Sequence, residues 1–119
     1  RKLIETRSID ILQPDVTWCG GLTELLRISS MAAAYDIPVV PHGSGAYSYH
    51  FVITQPHCPF CEYLNTSPDC LSFPSVFGNL FENEILPVNG KIKLNNEPGF
   101  GMKLNRKDLN LNRVFPSNE

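Results

Sequence analysis

A chain of 119 residues with 42% apolar and 18% charged side chains has the composition of at most one globular domain and not of a disordered segment. Its formal net charge of −2 argues against nucleic acid or an anionic membrane as the partner, and no apolar run reaches the length of a membrane span. The 4 cysteines are too few for a disulfide scaffold, so reduced thiols and a cytoplasmic location are expected.

The chain opens on Arg-Lys-Leu-Ile-Glu-Thr-Arg, without an initiator Met, and this reads like the end of a helix within a longer polypeptide. Ser8 begins a turn into the strand-like run from Ile9 to Gln13, which ends at Pro14-Asp15. A loop with two glycines follows. Thr23 is then placed to cap a helix, with Glu24 at its positive end. Leu22, Leu25, Leu26, Ile28, Ala32, Ala33 and Tyr35 recur at threes and fours, which predicts a helix with a broad apolar face. Asp36 is the turn out of it.

Ile37-Pro38-Val39-Val40-Pro41 predicts a short buried strand bounded by prolines, which cannot donate to a ladder. His42 stands at its C-terminal end, and Gly43 and Gly45 let the backbone turn there and approach a ligand. In parallel α/β folds the C-terminal ends of strands carry the chemistry. Asp15 ends the preceding strand, so an Asp and a His on neighbouring strand tips could form a proton-transfer pair. Tyr47 to Thr54 predicts a short helix stopped by Pro56, and Phe60 to Leu64 a third strand containing Glu62. Residues 1–64 thus read as β/α units and 65–104 as an irregular loop, a hairpin at Asn89-Gly90 and a return segment. Residues 105–119 read as a polar tail.

Taken together, Ile11-Leu12-Gln13-Pro14-Asp15, Trp18-Cys19-Gly20-Gly21-Leu22-Thr23-Glu24, Val39-Val40-Pro41-His42-Gly43-Ser44-Gly45 and Glu62-Tyr63-Leu64 resemble the enolase superfamily. More narrowly they are similar to its mandelate-racemase-like acid-sugar dehydratases. The resemblance implies an α/β fold: the C-terminal part of a TIM-type (β/α) barrel, about three of eight β/α units, followed by a hairpin and tail. It implies that Asp15 and His42 form a dyad, with an Asp15 oxygen within about 3.2 Å of an imidazole nitrogen, and that Glu62 supports an enolate. Such a carboxyl in an apolar pocket would serve as a donor to the developing oxyanion. Trp18, Gly43, Ser44 and Tyr47 are the candidate pocket residues, although Trp18 and Tyr47 could equally be packing residues.

The same resemblance implies a Mg²⁺ cofactor whose carboxylate ligands lie upstream, a small aldonate substrate, and a homo-oligomer at full length. The isolated chain is accordingly expected to be an inactive fragment. Two other readings remain open in the sequence. One is a zinc-binding or redox module on Cys58 and Cys61, with His57 alongside, although a structural zinc site needs four ligands. The other is a non-catalytic remnant of such an enzyme. Ser44 lacks the Gly-x-Ser-x-Gly setting of a hydrolase nucleophile, and His50 and His57 show no partner in the sequence.

Overall fold

The computed structural model describes residues 1–43 and 45–107. Three helices order the chain: α1 (Lys2–Glu5), α2 (Leu22–Ala33) and α3 (Ala46–Thr54). Both α1 and α2 close with the same device. After α2, Ile37 N–H reaches Ala32 O (3.0 Å) and Asp36 N–H reaches Ala33 O (3.1 Å), with Asp36 in the left-handed region at φ 59°. After α1, Ser8 N–H bonds Leu3 O and Arg7 N–H bonds Ile4 O, both at 3.1 Å, with Arg7 at φ 49°. These are Schellman closures built on Asp and Arg where glycine is usual.

The start of α2 differs from the expectation. Gly21, at φ 91°, is the N-cap, Thr23 lies inside the first turn, and no side chain caps the helix. Only glycine takes that backbone conformation without strain, so the glycine pair sets where the helix begins.

Between the helices, residues 12–15 run parallel to residues 39–42, with bridges Leu12↔Val39 and Asp15↔His42 in one register. Leu12 N–H donates to Pro38 O (2.9 Å), Val40 N–H to Leu12 O (3.0 Å) and His42 N–H to Pro14 O (3.1 Å). The next donor in that alternation would be residue 14, a proline without an N–H, so the pairing stays at isolated bridges instead of a continuous ladder.

The third predicted strand is corrected more strongly. Phe60 to Leu64 forms no ladder among the described residues, and its side of the pair holds the single bond Val39 N–H to His57 O (3.3 Å). Pro41, two residues on from Val39, cannot supply the next donor. The parallel α/β pattern is therefore present in its helix–extended–helix order, without regular strands among the described residues.

Leu25, Ser29 and Ala32 of α2 are buried, and Leu25 and Ala32 join Ile4, Val16, Ile37, Val39 and Phe51 in one apolar cluster. The opposite side of α3 buries Ala46 and Tyr49 against Ile85, flanked by Cys61, Tyr63, Ile92, Leu94 and Met102. Thus α3 joins the β/α region to the C-terminal segment. That segment contains the expected hairpin. Val88 and Lys91 exchange backbone bonds of 2.8 and 3.0 Å across Asn89 (φ 51°) and Gly90 (φ 70°), the paired positive φ of a type I′ turn. Farther out, a separate antiparallel bridge, Phe81↔Leu104, ties the beginning of this segment to its end. Ser44 and most of the predicted polar tail, 108–119, lie outside the described residues.

Candidate active site

The parallel register brings Asp15 and His42 side by side at the same end of the pair, and Glu62 reaches that point from the third extended segment. Each carboxylate is held by different means. Asp15 begins a local turn in which its Oδ1 accepts Thr17 N–H (2.7 Å) and Thr17 Oγ1–H (2.6 Å). Burial works to raise the Asp15 pKa. It is outweighed by the two Thr17 bonds, the charge of His42 and the Trp18 N–H, so the carboxyl lies below its ordinary value.

Glu62 has one oxygen at the centre of the site. Its Oε2 lies 2.9 Å from His42 Nδ1 and accepts Gly43 N–H at 2.5 Å. Gly43 sits at φ 86°, and that left-handed turn aims its N–H back at the carboxylate. An ionised carboxylate only accepts, so a proton on Nδ1 is what this contact calls for, and whenever the ring is neutral its lone pair is then on Nε2. Among the described residues nothing hydrogen-bonds Nε2, and the His42 side chain is 51% exposed. The arrangement is an oriented imidazole with its basic nitrogen facing outward.

Asp15 and His42 stand at the same end, as the dyad requires, with contacts that differ in detail from those expected. Asp15 and His42 neighbour one another but share no hydrogen bond or ion pair, because Thr17 engages Asp15 and the ring turns to Glu62. Glu62 accepts two N–H bonds instead of lying as a donor in an apolar pocket. Thr17, which sequence reading passed over, fixes Asp15, and Asp-x-Thr after a strand was the available signal.

The pocket candidates divide. Gly43 contributes its backbone N–H as described. Tyr47 folds over the loop, its hydroxyl 3.0 Å from where a Cβ on Gly45 would stand. The Trp18 side chain is 87% exposed, and the residue acts on Asp15 through its backbone N–H. Ser44 lies outside the described residues. His57 Nε2 is 2.9 Å from the buried Ser29 Oγ, and His50 Nδ1 bonds Ala46 O (2.7 Å), so both histidines have structural partners.

Cys58 and Cys61 are free, half-buried thiols, and burial raises both pKa values, which disfavours the thiolate that metal binding or redox attack requires. No group of three or more His, Cys, Asp or Glu able to hold a metal ion occurs among the described residues. A cavity of about 540 Å³ lies apart from the site, between α1, the first extended segment and α2, with Leu3, Ile11, Ile28 and Met31 in its walls.

Asp15 and His42 at the ends of adjacent extended segments, with Glu62 beside them, follow the helix–extended–helix order of an α/β barrel. The family described as enolase C-terminal domain-like matches residues 1–108, and this chain belongs to it. The chain is similar to L-rhamnonate dehydratase of Saccharopolyspora erythraea, with 50% identity over 115 residues, 97% of this chain and 29% of that protein. In structure it matches L-rhamnonate dehydratase from Gibberella zeae (TM-score 0.82, 56% identity, 90% of this chain and 28% of that one). The Mg complex of rhamnonate dehydratase from that organism matches with TM-score 0.79 and 56% identity, over 90% of this chain and 27% of that one. The chain therefore spans less than a third of the length of the relatives it matches.

Proposed function

We propose that this chain supplies the acid–base residues of a Mg²⁺-dependent sugar-acid dehydratase acting on L-rhamnonate. The observation that carries the reading is the His42 imidazole, bonded through Nδ1 to Glu62 with Nε2 open, beside the Asp15 carboxylate. About half the residues are shared with proteins named for that reaction, one of them described with Mg. The described residues do not themselves form a metal site, so the cation is assigned to carboxylates outside this chain, where its chemistry is to steady charge on the substrate carboxylate.

In this reading His42 Nε2 takes the proton α to the substrate carboxylate, and the C–H electron pair moves toward that carboxylate as an enediolate. Collapse of the enediolate expels the 3-hydroxyl, which leaves as water with the proton held on His42. Ketonisation of the resulting enol gives a 2-keto-3-deoxy acid. Glu62 holds the imidazole tautomer, and the Asp15 charge stabilises the imidazolium formed on the way. One imidazole serves as both base and acid when the proton and the hydroxyl leave from the same face. Residues 65–104 are then the return segment toward a capping region, and the intact protein is a cytoplasmic homo-oligomer.

The test is conversion of L-rhamnonate by the intact protein that carries this chain, with Mg²⁺, against its C2 and C3 epimers. Stoichiometric 2-keto-3-deoxy acid from L-rhamnonate in preference to the epimers supports the reading. Turnover that survives His42→Asn, with proton exchange at the α carbon intact, overturns it.

A further inference from the structure

The turn Pro98–Gly101 is held from several sides. Gly101 is buried at φ 70°, and its carbonyl accepts the side-chain amides of Asn83 and Asn95, each at 2.9 Å. Asn83 Oδ1 also accepts Lys103 N–H (2.7 Å), and Asn95 Oδ1 accepts Glu97 N–H (3.1 Å). A Cβ on Gly101 would collide with the Asn95 carboxamide.

This anchored turn presents Phe100 to α3. The ring meets Tyr47 edge-on (centroids 6.3 Å, 84°) and His50 (5.6 Å, 75°), residues one helical turn apart. The His50 ring is itself fixed by its bond to Ala46 O, so Phe100 sits between a fixed wall and Tyr47. Tyr47 leans back on Gly45, in the loop that carries His42 and Gly43, with its Cζ 2.7 Å from an added Cβ there. Its half-buried phenol makes no hydrogen bond among the described residues. The hydroxyl is not sealed from solvent, so a ligand group can take the place of the water that reaches it.

We propose that Phe100 is a positioning residue that holds the Tyr47 ring over Gly45, presenting its hydroxyl to a hydroxyl group of the ligand bound at His42. The ligand part rests on the sugar-acid reading above; the positioning part rests on geometry alone. It gives the C-terminal turn a role in substrate selection without any contact of its own with substrate.

Two readouts in the intact protein separate the parts. Burial, with the Asp15 charge added, raises the Tyr47 phenol above its ordinary value. Phe100→Ala therefore moves the Tyr47 titration, followed by ultraviolet absorbance and assigned with Tyr47→Phe, back toward about 10. The same substitution raises KM for L-rhamnonate about tenfold, the scale of one hydrogen bond to substrate, with kcat within about threefold. Phe100→Tyr keeps the edge-on ring and restores both. An unchanged Tyr47 titration in Phe100→Ala overturns the positioning role, whatever the activity does. A shifted titration without any aldonate turnover by the parent protein leaves the positioning role standing and removes the sugar-acid reading. A shifted titration with unchanged KM removes the contact between Tyr47 and substrate.

Discussion

His42 Nδ1 lies 2.9 Å from Glu62 Oε2, and the same oxygen accepts the N–H of Gly43, the residue that follows His42. Glu62 therefore fixes both the imidazole and the backbone turn that carries it. Glu62→Gln keeps size and hydrogen bonding but removes the charge, and its expected cost in kcat is about 10²–10³-fold, on the scale of one lost preorganised group. His42→Asn removes the base and abolishes both dehydration and solvent-deuterium exchange at the α carbon. Steady-state rates and exchange followed by NMR check the order of severity. A Glu62→Gln loss equal to that of His42→Asn would make Glu62 the proton acceptor.

Asp15 gives a pH-dependent expectation. Its pKa is lowered in the folded chain because Thr17, His42 and the Trp18 N–H outweigh burial, while the unfolded value is near 3.9. The folded state then binds fewer protons than the unfolded state between those two values. Its stabilisation is present above about pH 4 and is lost as pH falls through the lowered folded value. Asp15→Asn should differ from the parent at pH 6 and converge with it in acid, in denaturant melts across pH 2–7. Thr17→Val removes the hydroxyl donor and should shrink the same difference. Activity should fall by orders of magnitude in Asp15→Asn while substrate still binds.

Much of this was legible from local rules. Val39 and Val40 between prolines are fully buried, and Asn89-Gly90 closes the hairpin with two positive φ values. The placement of Asp15 and His42 at the same end followed from the β-α-β pattern and appears as a parallel bridge. The cap of α2 was misread because Thr23 is a good capping residue, whereas Gly21 reaches a backbone conformation Thr avoids. The third strand failed through the same chemistry that bounded the second: Pro41 cannot donate on the side where it would pair. The His42–Glu62 contact was not legible as a contact. It joins residues twenty apart through a side chain, and no periodicity encodes which of two nearby carboxylates a ring will turn toward.

Cys58 and Cys61 should behave as packing residues. Burial raises both thiol pKa values, so alkylation at pH 7.5 should be slow compared with a free thiol and accelerate only at higher pH. The same direction means that their folded state retains protons the unfolded state releases, so their contribution to stability declines as pH rises past the unfolded thiol value. Replacing both by Ala should leave activity within a few-fold and release no zinc, measured by thiol labelling and metal analysis. Stoichiometric zinc lost together with folding would reverse this assignment.

Asp36 is the residue at which a substitution should improve the protein. It closes α2 at φ 59°, a conformation that costs a non-glycine residue about 1–2 kcal/mol, and among the described residues its side chain makes no hydrogen bond that would offset the strain. The Schellman bonds from Asp36 and Ile37 are backbone bonds and survive any side chain that tolerates the turn. Asp36→Gly removes the Cβ penalty but gives the unfolded chain more freedom, so the net expected gain is about 0.5–1 kcal/mol. Asp36→Val adds a branched Cβ at the same φ and should destabilise by more than Gly stabilises. Because Asp36 lies at the far end of the segment from His42, kcat and KM should stay unchanged in Asp36→Gly. Thermal melts of the two variants decide it: if both fall below the parent, the Asp36 side chain holds this turn together and strain is not the controlling factor.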